Sequence, residues 1–394
     1  MNLNPFLFAS TPHIHFGAGK RTELAGILSG FGHRVLLVTG GKSFDASAIC
    51  QTLWHELQTD FDIRRMRVAG EPSPCLVDEA VAEYREFLPD TVLAIGGGSV
   101  VDAAKAIAGL LTLGSSVMEY LEGVGKGKPY HGPSTPFVAV PTTAGTGGET
   151  SKNAVLSVQG DGGFKKSFRH EKLVARHIIL DPDLTLSCPA DVSAACGMDA
   201  LTQLLESYVS SSASPLTDAL ALSGLKSVRE CLVAAVEQGD NLEARSGMLY
   251  ASSVSGLTLA NAGLGSVHGL ASPLGAFFPV PHGVVCGTLV HEASRLNIEA
   301  MQARQTENSA LKKYAEVGRL MTKQPGLNDQ EARSALLDLL MEWTVRLRMP
   351  CLSGYGISQS DVVKIVAGSR GNSMQTNPIE LSDKEIAKLI YSRL

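Results

Sequence analysis

No two of the seven cysteines (Cys50, Cys75, Cys188, Cys196, Cys231, Cys286, Cys351) form a CxxC pair. That odd, scattered set suggests neither a disulfide framework nor a thiolate zinc site. Charge is sparse at 19%, and Lys+Arg (34) does not exceed Asp+Glu (39), giving a net charge of −5. A mildly acidic chain argues against a broad nucleic-acid surface. Hydrophobic residues reach 44%, which excludes a disordered chain. The opening MNLNPFLFAS lacks a basic stretch and a long apolar stretch, so no signal peptide is expected and the expected location is cytoplasmic. From Ser246 to His291 there is no Asp, Glu, Lys or Arg, yet three prolines, two histidines and many Gly and Ser interrupt the run before His291. A spanning helix needs about 20 predominantly apolar residues, so a deeply buried helical region is expected rather than a membrane segment.

What is present divides into two halves. Arg34–Gly40, Asp90–Gly96, Pro136–Pro141 and Ile178–Asp181 enclose short uncharged β-branched runs. They suit parallel strands covered on both faces. Helical periods lie between them, at Val77–Phe87 and Val101–Leu111. After about Leu184 strand-like runs disappear, and helical spacing covers Ala190–Val209, Pro215–Glu237, Leu242–Ala262, Leu311–Thr322, Asp329–Leu347 and Ser382–Ser392. The expected fold is an α/β nucleotide-binding domain over residues 1–184, with a Rossmann-like parallel sheet, followed by an all-helical domain over 185–394. The Asp181-Pro-Asp-Leu-Thr185 turn is the candidate boundary.

Neither GxGxxG nor GxxxxGK[ST] occurs in the nucleotide half, but two polar loops follow strands. Gly96-Gly97-Gly98-Ser99 leads into a helix carrying Asp102 and Lys105. Backbone N–H groups at such a helix start bind phosphate without a basic side chain. Pro141–Thr150 holds four threonines and three glycines in ten residues, a polar wall at a strand's carboxyl end. Gly40, Gly41 and Lys42 end the first strand. An acidic residue there would bind a ribose 2′-hydroxyl; glycine leaves room for NADP, and Lys42 can pair its phosphate.

In the helical half, Asp199 and Gln203 stand four apart on one helix face. His268 and His282 are 14 residues apart, about 21 Å along a straight helix. Pro273, Pro279 and Pro281 are expected to break that helix, so the two imidazoles can converge on Asp199. Asp plus two His makes an open site for zinc or ferrous iron.

These residues, with Phe16–Gly19, GGGSVVDAAK (Gly96–Lys105), PTTAGTGGET (Pro141–Thr150), Asp181-Pro182, GMDALTQLLESYVS (Gly197–Ser210), GLGSVHGLASPLGAFFPVPHG (Gly263–Gly283) and Thr376-Asn377-Pro378, give the sequence its likeness. It resembles the iron-containing (group III) alcohol dehydrogenase family along nearly its whole length. The resemblance implies a cleft between a nucleotide domain and a helical domain, and hydride transfer between NAD or NADP and a small alcohol or aldehyde held on one Fe2+ or Zn2+. It implies that Gly97, Gly98, Ser99 and Asp102 hold the pyrophosphate and nicotinamide side. Thr142, Thr143 and Thr146 would line the cofactor, and Lys165 would lie near the nicotinamide ribose. Asp199, His268 and His282 fall on metal-ligand positions, and a homodimer is expected.

Two positions depart from the family pattern. Gln203 stands where a histidine would be the fourth ligand; its amide oxygen is a poorer, neutral donor. Ser272 stands where a second histidine relays protons, so Ser272, water or ribose hydroxyls must substitute. The catalytic groups are thus expected among Asp102, Lys165, His268 and Ser272. The three retained ligands resemble the glycerol dehydrogenase site, which favours zinc. Three alternatives stay open: a metal-independent reductase of the same fold acting on a keto acid, as maleylacetate reductases do; a lyase of the dehydroquinate synthase type; and a nucleotide-binding protein without catalysis.

Overall fold

The computed structural model describes residues 5–160 and 162–394. The first four residues of the opening stretch on which the leader reading rests lie outside the described residues. The described residues hold eight strands: β1 (His13–Phe16), β2 (Arg34–Gly40), β3 (Asp62–Val68), β4 (Thr91–Gly96), β5 (Phe137–Pro141), β6 (Asn153–Val158), β7 (Phe164–Arg169) and β8 (His177–Leu180). Six form one parallel sheet, in the order β1-β8-β5-β4-β2-β3, and β6 and β7 form a separate antiparallel hairpin. The helices of this half are α1 (Leu24–Ser29), α2 (Ser43–Ala46), α3 (Ala48–Asp60), α4 (Pro74–Tyr84) and α5 (Gly98–Leu110).

The register sets the site. Thr39 pairs with Ile95, and Ile95 with Val140, so β2, β4 and β5 end side by side. From β2 the chain runs outward to β3, then returns to the other side of β2 for β4 and β5. The crevice at this reversal, outside the carboxyl ends of the strands, is where open α/β sheets bind ligands. Separate apolar clusters cover the two sheet faces. Val92, Ala94 and Ala139 belong to one, with α4 and α5; Leu37, Leu93 and Val138 belong to the other, with α1 and α3.

Ten further helices follow: α6 (Ala190–Val209), α7 (Pro215–Glu237), α8 (Leu242–Ala262), α9 (Ser266–Phe277), α10 (His282–Arg304), α11 (Ala310–Thr322), α12 (Asp329–Arg346), α13 (Val362–Gly368), α14 (Asn372–Gln375) and α15 (Asp383–Tyr391). The described residues after Leu180 hold no strand. Helices whose N-termini lie away from the cleft carry side-chain caps: Ser214 on α7, Asn328 on α12 and Ser382 on α15, each within a reciprocal box. Three helices that open onto the cleft, α5, α6 and α10, have no capping side chain. Their first N–H groups are left available to a ligand.

One expectation is corrected. Pro273 lies inside α9, which carries through it at the loss of one backbone bond. The break comes at Pro279 and Pro281, between α9 and α10. Among the described residues, no helix is long and apolar enough to cross a membrane.

Candidate active site

A cleft of about 1540 Å³ separates the carboxyl ends of the sheet from the helices. On the sheet side, Gly97 precedes α5, and Gly98 and Ser99 begin it. A Cβ on Gly97 would stand 3.3 Å from Thr143 Oγ1, and one on Gly98 would stand 3.0 Å from Thr146. The two polar loops therefore abut, and glycine at both positions lets them do so without displacing the threonines, with the start of α5 facing the cleft. That cradle fits a pyrophosphate.

Lys105, about two turns along α5 from this cradle and fully buried, ties the second loop to α5. Its Nζ donates to the carbonyls of Gly148 (2.6 Å), Ser151 (2.8 Å) and Asn153 (2.7 Å). Asp102 faces the cleft from α5, and burial pushes its carboxyl up to about 6. Lys165 reaches in from β7. Its Nζ donates to Glu71 Oε1 (2.5 Å), and Ser157 Oγ donates to the other oxygen of Glu71 (2.9 Å). Burial works against the Glu71 charge, but Lys165 outweighs it and holds the carboxyl below its usual range. Ser272 also lines the cleft, and its Oγ donates to the Lys165 carbonyl at 2.9 Å.

On the helical side, α6 presents Asp199, α9 presents His268, and α10 begins at His282. Asp199 Oδ1 lies 3.2 Å from His268 Nε2 and 3.8 Å from His282 Nε2, and the two imidazoles meet edge to face with centroids 5.3 Å apart. Cys286, one turn into α10, places Sγ 3.6 Å from His268 Nε2 and 4.0 Å from His282 Nε2. These four donor atoms all lie within 4.8 Å of one another. Two imidazole nitrogens, a carboxylate and a sulfur are a donor set that suits a divalent transition ion. Behind His268, Glu206 Oε2 pairs with Nδ1 at 2.7 Å while its other oxygen accepts from Val267 N–H at 2.7 Å. A carboxylate in that place fixes the ring and leaves Nε2 as the ligating nitrogen.

The electrostatics divide the pair of imidazoles. Burial opposes charge on His268, yet its contacts with Cys286, Asp199 and Glu206 outweigh burial and raise it well above 6.5. Burial pushes His282 down to about 4, with Asp199 opposing and Lys165 reinforcing. Burial likewise disfavours the Asp199 carboxylate, but both histidines hold it below its usual range. The Cys286 thiol is pushed up to about 12 by burial.

Gly97, Gly98, Ser99, Asp102, Thr143, Thr146, Lys165, Asp199, Gln203, His268, Ser272 and His282 all line this one cleft. Gly40, Gly41, Lys42 and Thr142 do not. Gly40 ends β2, beside β4 in the sheet, Gly41 and Lys42 follow it, and the Thr142 N–H donates to the Gly96 carbonyl at 3.0 Å. Three participants escaped the sequence reading: Cys286, Glu206 and Glu71. Cys286 had a signal, the spacing His282-x-x-x-Cys286 directly after Pro281, which puts both side chains on one helix face.

Comparison with known proteins agrees along the whole chain. The family described as "Iron-containing alcohol dehydrogenase" matches residues 11–182, and "Fe-containing alcohol dehydrogenase family, C-terminal" matches 193–394. A 1,3-propanediol dehydrogenase of Citrobacter freundii is 31% identical over 382 residues, covering 94% of this chain and 92% of that protein. A probable alcohol dehydrogenase of Escherichia coli K12, EutG, is 36% identical over 309 residues, covering 78% and 71%. Among solved structures, a 1,3-propanediol oxidoreductase superposes with a TM-score of 0.89 at 27% identity, covering 99% of this chain and 100% of the other. A sulfoacetaldehyde reductase from Bifidobacterium kashiwanohense, solved with NAD+, gives 0.84 at 28% identity, covering 99% of each.

Proposed function

The chain belongs to the iron-containing alcohol dehydrogenase family, an oxidoreductase family acting on CH–OH groups, and from that premise we propose how its own residues divide the work. The observation that carries the reading is the convergence of Asp199, His268 and His282 opposite the Gly97–Ser99 cradle in one cleft. Residues 1–184 bind the dinucleotide, and residues 185–394 hold one divalent ion. When bound, the ion supplies Lewis-acid polarisation of the substrate oxygen, and the nicotinamide gives or takes the hydride.

The protein's part is placement. Gly97, Gly98 and Ser99 bind the pyrophosphate, and Thr143 and Thr146 wall the cofactor. Asp199, His268 and His282 hold the ion, with Glu206 orienting His268. Lys165, held by Glu71, lies beside the nicotinamide ribose. Asp102, Lys165 and Ser272 are the groups placed to hold or move a proton, and the Ser272 oxygen keeps acceptor capacity after its bond to the Lys165 carbonyl. Gly40 and Lys42 favour NADP over NAD, and the donor chemistry favours zinc over iron. The substrate is a small primary alcohol or its aldehyde. A cytoplasmic homodimer, paired near the N-terminal sheet edge, completes the reading.

The test is elemental analysis with NADH and NADPH oxidation measured on an aldehyde panel, before and after chelation, for the wild type and His268→Ala. About one zinc or iron per chain, lost with turnover in the variant, is expected on a three-ligand site. Metal content and activity unchanged in His268→Ala would overturn the assignment.

A further inference from the structure

We propose that Cys286 Sγ is a ligand of the divalent ion alongside Asp199, His268 and His282, and that Gln203 is a positioning residue rather than a ligand. The proposal rests on the metal-holding reading above and adds its fourth donor.

Pro281 stops the preceding chain, and α10 starts at His282. Cys286 is four residues on, so its side chain rises on the same face as the imidazole. A tetrahedral zinc site with Zn–N and Zn–O near 2.05 Å and Zn–S near 2.3 Å has ligand–ligand edges of about 3.3 Å between N or O donors and about 3.6 Å from S to N. The corresponding separations here are 3.2 and 3.8 Å from Asp199 Oδ1 to the two imidazoles, and 3.6 and 4.0 Å from Sγ to them. Four of the six donor–donor edges thus stand near the spacing one small ion requires, and all six are within 4.8 Å, so a small inward shift of the side chains completes the set.

The sulfur also comes from the right side. Asp199, His268 and His282 line the cleft, whereas Cys286 is fully buried and does not. It joins the site from the protein interior, so the substrate oxygen would enter from the cleft side as a fifth donor, an expansion that catalytic zinc permits.

Gln203 is otherwise engaged. Its Oε1 accepts from Ser255 Oγ at 2.7 Å, and its Nε2 donates to Asp199 Oδ1 at 3.2 Å. Exchanging the amide oxygen and nitrogen would set an acceptor against the Asp199 carboxylate. The amide therefore orients a ligand. Charge points the same way: a carboxylate and a thiolate neutralise a buried divalent ion, whereas a neutral amide would leave one positive charge uncompensated. On binding, the thiol proton leaves to solvent. A thiolate in the set selects zinc over iron.

The experiment uses the full-length protein stripped with chelator and reconstituted with Co2+. Wild type and Gln203→Ala are expected to show a near-ultraviolet sulfur-to-cobalt charge-transfer band, and Cys286→Ser to lack it. Zinc affinity in Cys286→Ser should fall by at least about tenfold, the lower end of what loss of even an outer partner of a ligand costs. X-ray absorption on the wild-type zinc form, which needs no variant, should show one sulfur near 2.3 Å. Three outcomes overturn the proposal while sparing the metal site: cobalt bound without the band, a band that persists in Cys286→Ser, or unchanged zinc affinity in that variant. A wild type that binds neither ion, like Asp199→Ala, would remove the metal-holding reading itself and the proposal with it.

Discussion

Lys105→Met, a change of similar side-chain volume, asks how firmly the nucleotide cradle is built. The ammonium is completely buried and donates to three loop carbonyls, those of Gly148, Ser151 and Asn153. Each charge-assisted bond contributes about 1.5–3 kcal/mol, or about 4.5–9 in all. Burial of the charge opposes this: it pushes Lys105 from 10.5 down to about 8. That shift corresponds to about 3 kcal/mol. The net loss in the methionine variant is then about 1–6 kcal/mol, centred near 3. At about 2.1 cal/mol/K of unfolding entropy per residue, a chain of this size should lose about 4 °C in Tm. The functional effect follows from the same contacts, because the freed loop carries Thr143 and Thr146. Nucleotide KM should rise while the metal content stays constant. Thermal unfolding by circular dichroism, with KM for NADH and NADPH, reads both. A variant within 1 °C of wild type, by the roughly 1 kcal/mol lower bound, and with unchanged KM would refute the claim that Lys105 holds the loop.

Glu149 is buried, with Oε1 unpartnered, and burial pushes its carboxyl from 4.5 up to about 7. Its protonated form therefore contributes stability that is complete below pH 4.5 and lost as pH rises through 7. Glu149→Gln should be more stable than wild type by up to about 3 kcal/mol at pH 8, with the difference vanishing at low pH; an equal difference in denaturant midpoint at both pH values would contradict this. In Gly256→Ala the new Cβ would stand 2.0 Å from the Gly147 carbonyl oxygen, so α8 and the threonine loop must part. A destabilisation of about 3 kcal/mol or more is expected by thermal melt, with raised nucleotide KM, and a wild-type melt would show that the contact is slack. Gly40→Asp puts a carboxylate at the end of β2, where only the movable Ser43 hydroxyl is close. NADPH KM should rise about tenfold, or about 1.4 kcal/mol, with little change for NADH; equal changes would place the ribose phosphate elsewhere.

The sequence discloses those elements whose pattern depends on burial alone. Strands β2, β4, β5 and β8 sit inside the sheet and read as uncharged runs, and α6, α7 and α8 begin and end where the periodicity places them. The edge strand β3 hides because Arg64, Arg65 and Arg67 are set among its apolar residues. Arg65 instead packs over Phe44 and pairs with Asp45. The hairpin β6–β7 hides for a related reason: Lys165, Lys166 and Arg169 make β7 look like a solvated loop. At the site, His268 and His282 were legible because polar groups in a long uncharged stretch need a purpose, and Asp199 because it shares a helix face with Gln203. Cys286 was not, because a cysteine in such a stretch reads as one more small hydrophobe. Glu206 and Glu71 act through partners 62 and 94 residues away, a distance that no local pattern spans.

The hairpin has a consequence for how this architecture can be cut and recombined. It belongs by sequence to the half that holds the sheet, yet it is fastened on both flanks. Ser157 bonds to Pro72 and Glu71, at the end of β3, while Lys165 accepts from Ser272 and the Gly160 N–H donates to the Ala276 carbonyl, both on α9. A crossover near residue 184 between two parents would take the hairpin from one and its α9 docking ridge from the other. The inheritable block is therefore not a contiguous half but the pair of segments 153–169 and 266–277, and it is the fit of that pair that decides whether a chimera keeps Lys165 aimed at its cleft.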